Sequence, residues 1–263
     1  MNKPREVKMA KILEVREENA RMRTLILGAD MSAYPGQFAM LWLPSVNEKP
    51  FSFAYCEEGK IGFTVAKVGA FSEKLCQLKP GDSVGIRGPF GNGFKPKGNK
   101  IAIVGGGCGT APLGFLMEKL AKSGKKVFFI IGARTKSELL FAERARSAGA
   151  ETIICTDDGS EGRKGFTTDA LAELLEKEQI DAVCTCGPEI MMKKVLAICE
   201  GKGVECLASL ERWMKCGFGV CGQCAIDGFL VCKEGPVFNS AKLRRMKEFG
   251  SLKRDACGAQ LKA

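Results

Sequence analysis

The chain has 263 residues, 45% hydrophobic and 27% charged, a length and balance that fit two compact domains with a small appendage and exclude a disordered or fibrous chain. Histidine is absent and there are 13 cysteines, so histidine bases, Ser-His and Cys-His nucleophiles and histidine-ligated zinc are excluded, while thiols or metal thiolates are favoured over extracellular disulfides. Of the net charge of +10, a surplus of five sits in residues 240–263, seven basic residues against Glu248 and Asp255, and without a basic stripe interleaved with aromatics a nucleic-acid partner is not expected.

The basic start Met1-Asn-Lys-Pro-Arg has no apolar segment or cleavage site behind it, and no apolar stretch reaches the roughly 18 to 20 residues of a membrane span, so a cytoplasmic protein is expected. Residues 1–97 read as strands. Met22, Thr24 and Ile26, then Phe38, Met40 and Trp42, alternate at period two, as does a run within Lys60 to Val68. Turn signals at Pro35-Gly36 and Pro80-Gly81-Asp82 separate such runs, which predicts a small antiparallel barrel. The glycine- and proline-rich stretch from Gly88 to Asn99 reads as loop and linker.

Residues 98–205 alternate strand and helix. Segments 101–104, 127–131, 152–155 and 182–185 are apolar and short, and each precedes a helical pattern, over 112–122, 136–148, 167–178 and 188–200. Four such units predict a doubly wound parallel sheet whose ligands bind beyond the carboxyl ends of its strands. Residues 206–263 are too rich in cysteine and glycine to continue this pattern and are expected to form a third, small lobe.

That lobe carries the sharpest motif. Cys216, Cys221, Cys224 and Cys232 follow the spacing C-x4-C-x2-C…C, the plant-type order in which four thiolates hold the two irons of a 2Fe-2S cluster. Gly217, Gly219 and Gly222 would let a short loop wrap the cluster with its N–H groups aimed at sulfur. Structural zinc is the rival reading, but zinc sites pair two C-x2-4-C elements and Cys232 stands alone. Leu243, Met246 and Phe249 then recur at i, i+3 and i+6 on a basic segment; a helix whose apolar stripe packs on the lobe's own core is expected, with a role at a partner's rim as the alternative.

Three loops fall at one edge of the predicted sheet. Gly105, Gly106, Gly107, Gly109, Thr110, Ala111 and Pro112 lie between a strand and a helix, where N–H groups and the positive helix end can face a pyrophosphate. The segment departs from G-x-G-x-x-G, so it is not the dinucleotide fingerprint. Thr156, Asp157, Asp158 and Gly159 close the third strand, and Cys186, Gly187 and Pro188 the fourth. Together they could surround one dinucleotide. Asp157 and Asp158 argue for NAD(H) over NADP(H), against the cations Arg134 and Lys136.

The succession of Lys49-Pro-Phe-Ser52, Gly88-Pro-Phe-Gly91, the glycine loop at 105–113, Cys186-Gly-Pro188 and the cysteine cluster resembles the ferredoxin-NADP reductase superfamily over nearly the whole chain. More closely, Gly88 to Phe94, Met214 to Gly219 and Val231 to Phe238 are similar to the electron-transfer subunits of NAD-linked dihydroorotate dehydrogenases. The resemblance implies an FAD-binding barrel, a pyridine-nucleotide domain, a 2Fe-2S lobe and an FMN-containing catalytic partner subunit in a hetero-oligomer serving pyrimidine biosynthesis. It implies an FAD site of Lys49, Pro50, Phe51 and Ser52, with Ser52 near flavin N5, and of Thr64, Val65, Ala66, Gly69 and Ala70. Lys49 stands where the family usually has arginine, which keeps the charge for FAD phosphates but loses the bidentate fork.

Chemistry carried by cofactors needs no acid or base from the chain, which suits a protein without histidine. The expected function is transfer of electrons between NAD(H), FAD, the cluster and the FMN partner. The alternatives are a reductase feeding a diffusible acceptor, a subunit of a sulfur- or sulfite-reducing or hydrogenase complex, and a non-catalytic redox-sensing module.

Overall fold

A computed structural model describes residues 6–262; residues 1–5, which hold the basic start, and Ala263 lie outside the described residues. Six strands, β1 (Lys8–Asn19), β2 (Met22–Gly28), β3 (Phe38–Leu43), β4 (Asn47–Glu57), β5 (Lys60–Ala66) and β6 (Ser83–Phe90), close into a barrel in the order β1-β2-β5-β4-β3-β6, every neighbour antiparallel. Alternation supplies the inward face: Ile12, Leu25, Leu27, Ile61, Phe63 and Val65 are all buried in one cluster, with Phe53 and Phe63 rings 4.9 Å apart. Each such side chain contributes about 1.5 to 3 kcal/mol by leaving water. The helix α1 (Ala70–Gln77) adds Phe71, Leu75 and Cys76 to the same core.

The second unit runs β7 (Lys100–Gly106), α2 (Thr110–Lys122), β8 (Lys126–Ala133), α3 (Ala142–Ser147), β9 (Glu151–Thr156), β10 (Arg163–Lys164), α4 (Thr167–Lys177), β11 (Ala182–Cys186), α5 (Glu189–Gly201) and β12 (Glu205–Ser209). Its strands pair in parallel in the order β10-β9-β8-β7-β11-β12. Ile101, Ala102, Ile103 and Val104 are fully buried, as central strands covered on both faces require. Connection order reverses between β7 and β11, which opens a crevice at their carboxyl ends.

The expected helix over 136–148 is interrupted. Lys136–Glu138 forms a single turn and α3 starts only at Ala142. Between them Leu140 and Phe141 drop into a cluster with Met22 and Ala111, and Phe141 takes a left-handed φ of 65°. Burial of two large side chains outweighs the helical pattern there.

The last segment comprises β13 (Ala225–Ile226), β14 (Phe229–Leu230), α6 (Val231–Glu234), β15 (Val237–Asn239), α7 (Ser240–Leu243), β16 (Leu252–Arg254) and β17 (Gln260–Lys262). The large sheet extends further than expected. Residues 205 and 206 lie inside β12, and β15 returns to pair antiparallel with it, because Cys206-Leu-Ala-Ser is an apolar strand within a cysteine-rich stretch. The basic segment is helical only over the four residues of α7, and Leu243, Met246 and Phe249 are 1%, 5% and 2% exposed within the core, so the apolar stripe has a packing role.

Barrel and sheet are fastened directly. Phe115 of α2 is buried in the barrel's own core. Arg144 of α3 grips Glu118 with two bonds of 2.6 and 2.8 Å, donates to the Ala54 carbonyl of β4 at 2.9 Å, and lies 3.6 Å over the Tyr55 ring.

Candidate functional site

The loops at residues 105–109 and 186–188 touch backbone to backbone at the carboxyl ends of β7 and β11. A Cβ on Gly109 would stand 2.5 Å from the Cys186 carbonyl carbon, so only glycine permits the approach. Gly107, at φ +53°, has nothing within 4 Å of where a Cβ would stand. The first turn of α2 has no side-chain cap; Thr110 N donates to the Gly107 and Cys108 carbonyls of the preceding turn, and the helix's positive end remains for an anion. Thr110 Oγ1 is buried there without a hydrogen-bond partner among the described residues, a donor set that fits a nucleotide.

A cleft of about 460 Å³ opens beside these loops. Its barrel side is Arg21, Met22, Ala66 and Val68, and its sheet side includes Gly106, Gly107, Asp157 and Pro188. Of the two predicted aspartates only Asp157 lines it; Asp158 turns away to accept from Ser160 N and Oγ at 2.9 and 2.6 Å, a local turn motif. The expected cations are not free. Arg134 is held by Glu138 through Nε at 2.9 Å and also through Nη2, Arg21 lies 3.8 Å from the same carboxylate, and Lys136 pairs with Glu161 at 3.0 Å. Hydrogen bonding from Arg134 lowers the Glu138 pKa, so the carboxylate is charged. Glu138 was not among the sequence candidates, because its role depends on Arg21, a residue far away in the chain.

The segment from Lys49 to Ser52 lies half-buried in β4, opposite Leu41 to Phe38 of β3. The Phe51 ring stacks on Phe71 of α1 at 6.2 Å. Lys49 Nζ sits 3.9 Å over the ring of Trp213, and burial lowers its pKa. On β5 the Thr64 hydroxyl pairs with that of Thr24 at 2.8 Å, and Ala66 reaches the cleft. Val65 is different: its side chain is wholly buried in the barrel core, so only its backbone could meet a ligand. Gly69 and Ala70 are exposed at the start of α1, where a Cβ on Gly69 would meet nothing.

The four cysteines stand as two pairs, Cys216, Cys221 and Cys224 on a loop that lies against the barrel wall and Cys232 on α6. Cys221 donates to Cys216 and Cys232 to Cys224, while Val220 N and Cys232 N point at the Cys216 and Cys224 sulfurs, each at 3.4 Å. Burial opposes ionisation of Cys216, but amides of Cys221, Phe218 and Val220 outweigh it and bring its pKa to about 6. The Cys232 thiol, acting against burial, brings Cys224 to about 7, and Cys232 itself is pushed up by that hydrogen bond and by burial. No three His, Cys, Asp or Glu converge on one point among the described residues. Two thiols per iron is what each half of a two-iron cluster takes, so the pairs fit that group.

Fastenings below the loop had no sequence signal. Glu189, just after Cys186-Gly-Pro188, forms a fully buried pair with Arg212, the two side chains 3% and 2% exposed, and also accepts from Gly250 N at 2.9 Å. This ties the start of α5 to the entry of the cysteine loop and to the terminal segment.

A closed antiparallel barrel followed by a doubly wound sheet is the architecture of the ferredoxin-NADP reductase superfamily. The structure of an NADH-dependent reduced ferredoxin-NADP oxidoreductase superposes with a TM-score of 0.81 at 27% identity, covering 93% of this chain and 95% of that one. A ferredoxin reductase of carbazole 1,9a-dioxygenase shares the fold at 0.67 and 23% identity, over 76% of this chain and 66% of its own. Residues 103–196 match an oxidoreductase NAD-binding domain, and residues 211–244 match the iron-sulfur cluster binding domain of dihydroorotate dehydrogenase B. Proteins of Methanocaldococcus jannaschii and Pyrococcus furiosus, each named "Probable dihydroorotate dehydrogenase B (NAD(+)), electron transfer subunit", are 48% and 46% identical, covering 96% and 94% of this chain and 97% and 96% of theirs. The chain belongs to this family of electron transfer subunits.

Proposed function

We propose that the chain carries electrons between NAD(H) and an FMN-containing partner subunit that oxidises dihydroorotate in pyrimidine biosynthesis, in a hetero-oligomer in the cytoplasm. The observation that carries this reading is the contiguity of three sites: the cysteine loop packs against the barrel wall next to Lys49–Ser52, and the nucleotide cleft opens between the same barrel and the sheet. Among the described residues no helix is long and apolar enough to cross a membrane.

Bound FAD would supply the hydride chemistry with NAD(H), and a bound 2Fe-2S cluster the single-electron chemistry. The protein's work is to hold and to exclude. Lys49, Pro50, Phe51, Ser52, Thr64, Ala66, Gly69, Ala70 and the backbone of Val65 would hold FAD. Gly105, Gly106, Gly107, Gly109, Thr110, Ala111 and Pro112, with Thr156, Asp157, Gly159, Cys186, Gly187 and Pro188, would hold the nucleotide, its phosphates at the uncapped α2 terminus. Asp158, whose carboxylate is engaged by Ser160, would contribute to the nucleotide loop by shaping its turn. Cys216, Cys221, Cys224 and Cys232 would ligate the irons. The division into barrel, nucleotide domain and cluster lobe follows the same assignment, with β12 shared between the last two.

Anaerobic purification tests the cofactor set. Two irons, two acid-labile sulfides and one flavin per chain are expected, with visible bands of both groups. Tetrahedral zinc in place of iron and sulfide would refute the cluster assignment.

A further inference from the structure

We infer that Arg87, on the barrel wall, sets the position and the reduction potential of the iron-sulfur cluster; the inference rests on the cluster assignment proposed above. Arg87 on β6 is 9% exposed, and a charge so buried persists only when paired. Its Nε and Nη2 form a parallel fork on Glu48 at 2.7 and 2.6 Å, the strong bidentate arrangement. Its remaining nitrogen, Nη1, donates to the carbonyl of Cys216 at 3.1 Å. The guanidinium lies 5.5 Å from the Phe90 ring centre and 5.8 Å from that of Phe218, within cation–π range of both. One side chain of the barrel thus spans from the residue before Lys49 to the peptide of the first cluster cysteine.

Two further contacts hold the same stretch. Gly217, at φ +82°, lies so close to the wall that a Cβ there would stand 3.1 Å from Met40 Cγ. Lys49 lies on Trp213, three residues before Cys216. Flavin strand and cluster loop therefore share their supports, and Arg87 is the only one of these groups that places a charge on a ligand residue's own backbone.

The consequence is electrostatic. Reduction of the cluster adds one electron, and neither a proton nor a bond changes at Arg87. A cation held at the Cys216 carbonyl favours the more negative, reduced form, and the Glu48 carboxylate behind it opposes that effect. Removing either charge should move the potential in opposite directions, which a merely structural role would not do.

The test is an EPR-monitored redox titration of the complete, anaerobically prepared chain, with iron content and visible circular dichroism recorded for every variant. Arg87→Met is expected to lower the potential and Glu48→Gln to raise it, each by about tenfold in the one-electron equilibrium, or 59 mV. Arg87→Lys, which keeps the charge but not the fork, should lie between Arg87→Met and wild type. Should Arg87→Met lose the cluster, the upward shift in Glu48→Gln and the downward shift in Arg87→Lys still decide the matter. Potentials that stay put, or that move in the same direction in the Arg87 and Glu48 variants, overturn the inference. A wild-type protein without iron and sulfide defeats the cluster assignment instead.

Discussion

Glu138 is expected to decide which nicotinamide nucleotide enters the cleft. It pairs with both Arg134 and Arg21, offsetting one of their two positive charges, and all three line the crevice beyond β8, where a carboxylate meets the ribose hydroxyl of NAD in doubly wound folds. Glu138→Gln keeps the side chain's shape and frees both arginines. The Glu138 side chain is 26% exposed, so an effective dielectric between about 40 and 80 applies, and two unit charges about 7 Å apart then repel by ~0.6 to 1.2 kcal/mol. A phosphate with nearly two charges doubles that, to ~1 to 2 kcal/mol, or roughly five- to thirtyfold in affinity. The pair is a surface one, so folding stability should change by less than about 1 kcal/mol. Stopped-flow flavin reduction with NADH and NADPH reads the effect: preference for NADH should fall by that factor, through tighter NADPH binding. An unchanged ratio with intact stability would refute the placement of the ribose beside Glu138.

Replacing Cys221 by Ser should abolish the cluster and leave FAD bound, because Cys221 is exposed and the proposed flavin residues lie on β4, β5 and the start of α1; loss of flavin along with iron would show that the two sites fold as one. Breaking the buried pair with Glu189→Gln should cost ~3 to 5 kcal/mol, since Arg212 is left charged and buried, whereas Glu189→Leu with Arg212→Met should cost less. Denaturant titration followed at Trp213 would show the difference, and a double substitution as harmful as the single would count against the argument. In cluster-free protein Cys216 should be alkylated at half its maximal rate near pH 6, because its depressed pKa keeps the thiolate present above that value. Cys155, pushed up to about 11 by burial, should resist throughout the neutral range; peptide mass analysis after iodoacetamide treatment measures both.

Period-two alternation marked the barrel, and the four strand–helix units marked the sheet, because in both cases burial imposes a periodicity on neighbouring residues. The cysteine spacing stood out equally in sequence, and it falls within residues 211–244, the stretch that matches an iron-sulfur cluster binding domain. What stayed hidden depends on partners distant in sequence. Arg87 looks like any residue of an alternating strand until Glu48 and the Cys216 carbonyl meet it. Lys49 is a strand residue in sequence, and only the fold shows that its ammonium lies over Trp213, close to the cysteine loop. Asp158 resembled Asp157 in sequence, but a two-residue turn with Ser160 withdraws it from the cleft. Leu243, Met246 and Phe249 have helical spacing, but α7 ends at Leu243 and the backbone after it is turns, so Met246 and Phe249 are buried without a helix to carry them.

The central claim is that electrons pass from dihydroorotate to NAD+ only when this chain joins its partner. Purified chain, loaded with FAD and cluster, should be mixed with an FMN-containing subunit that oxidises dihydroorotate, and NADH formation followed at 340 nm under anaerobic conditions. The account predicts dihydroorotate-dependent reduction of NAD+ by the mixture, none by either subunit alone, and none when Cys221→Ser replaces the wild-type chain. Turnover that is the same without this chain, or that persists with the Cys221 variant, would contradict it.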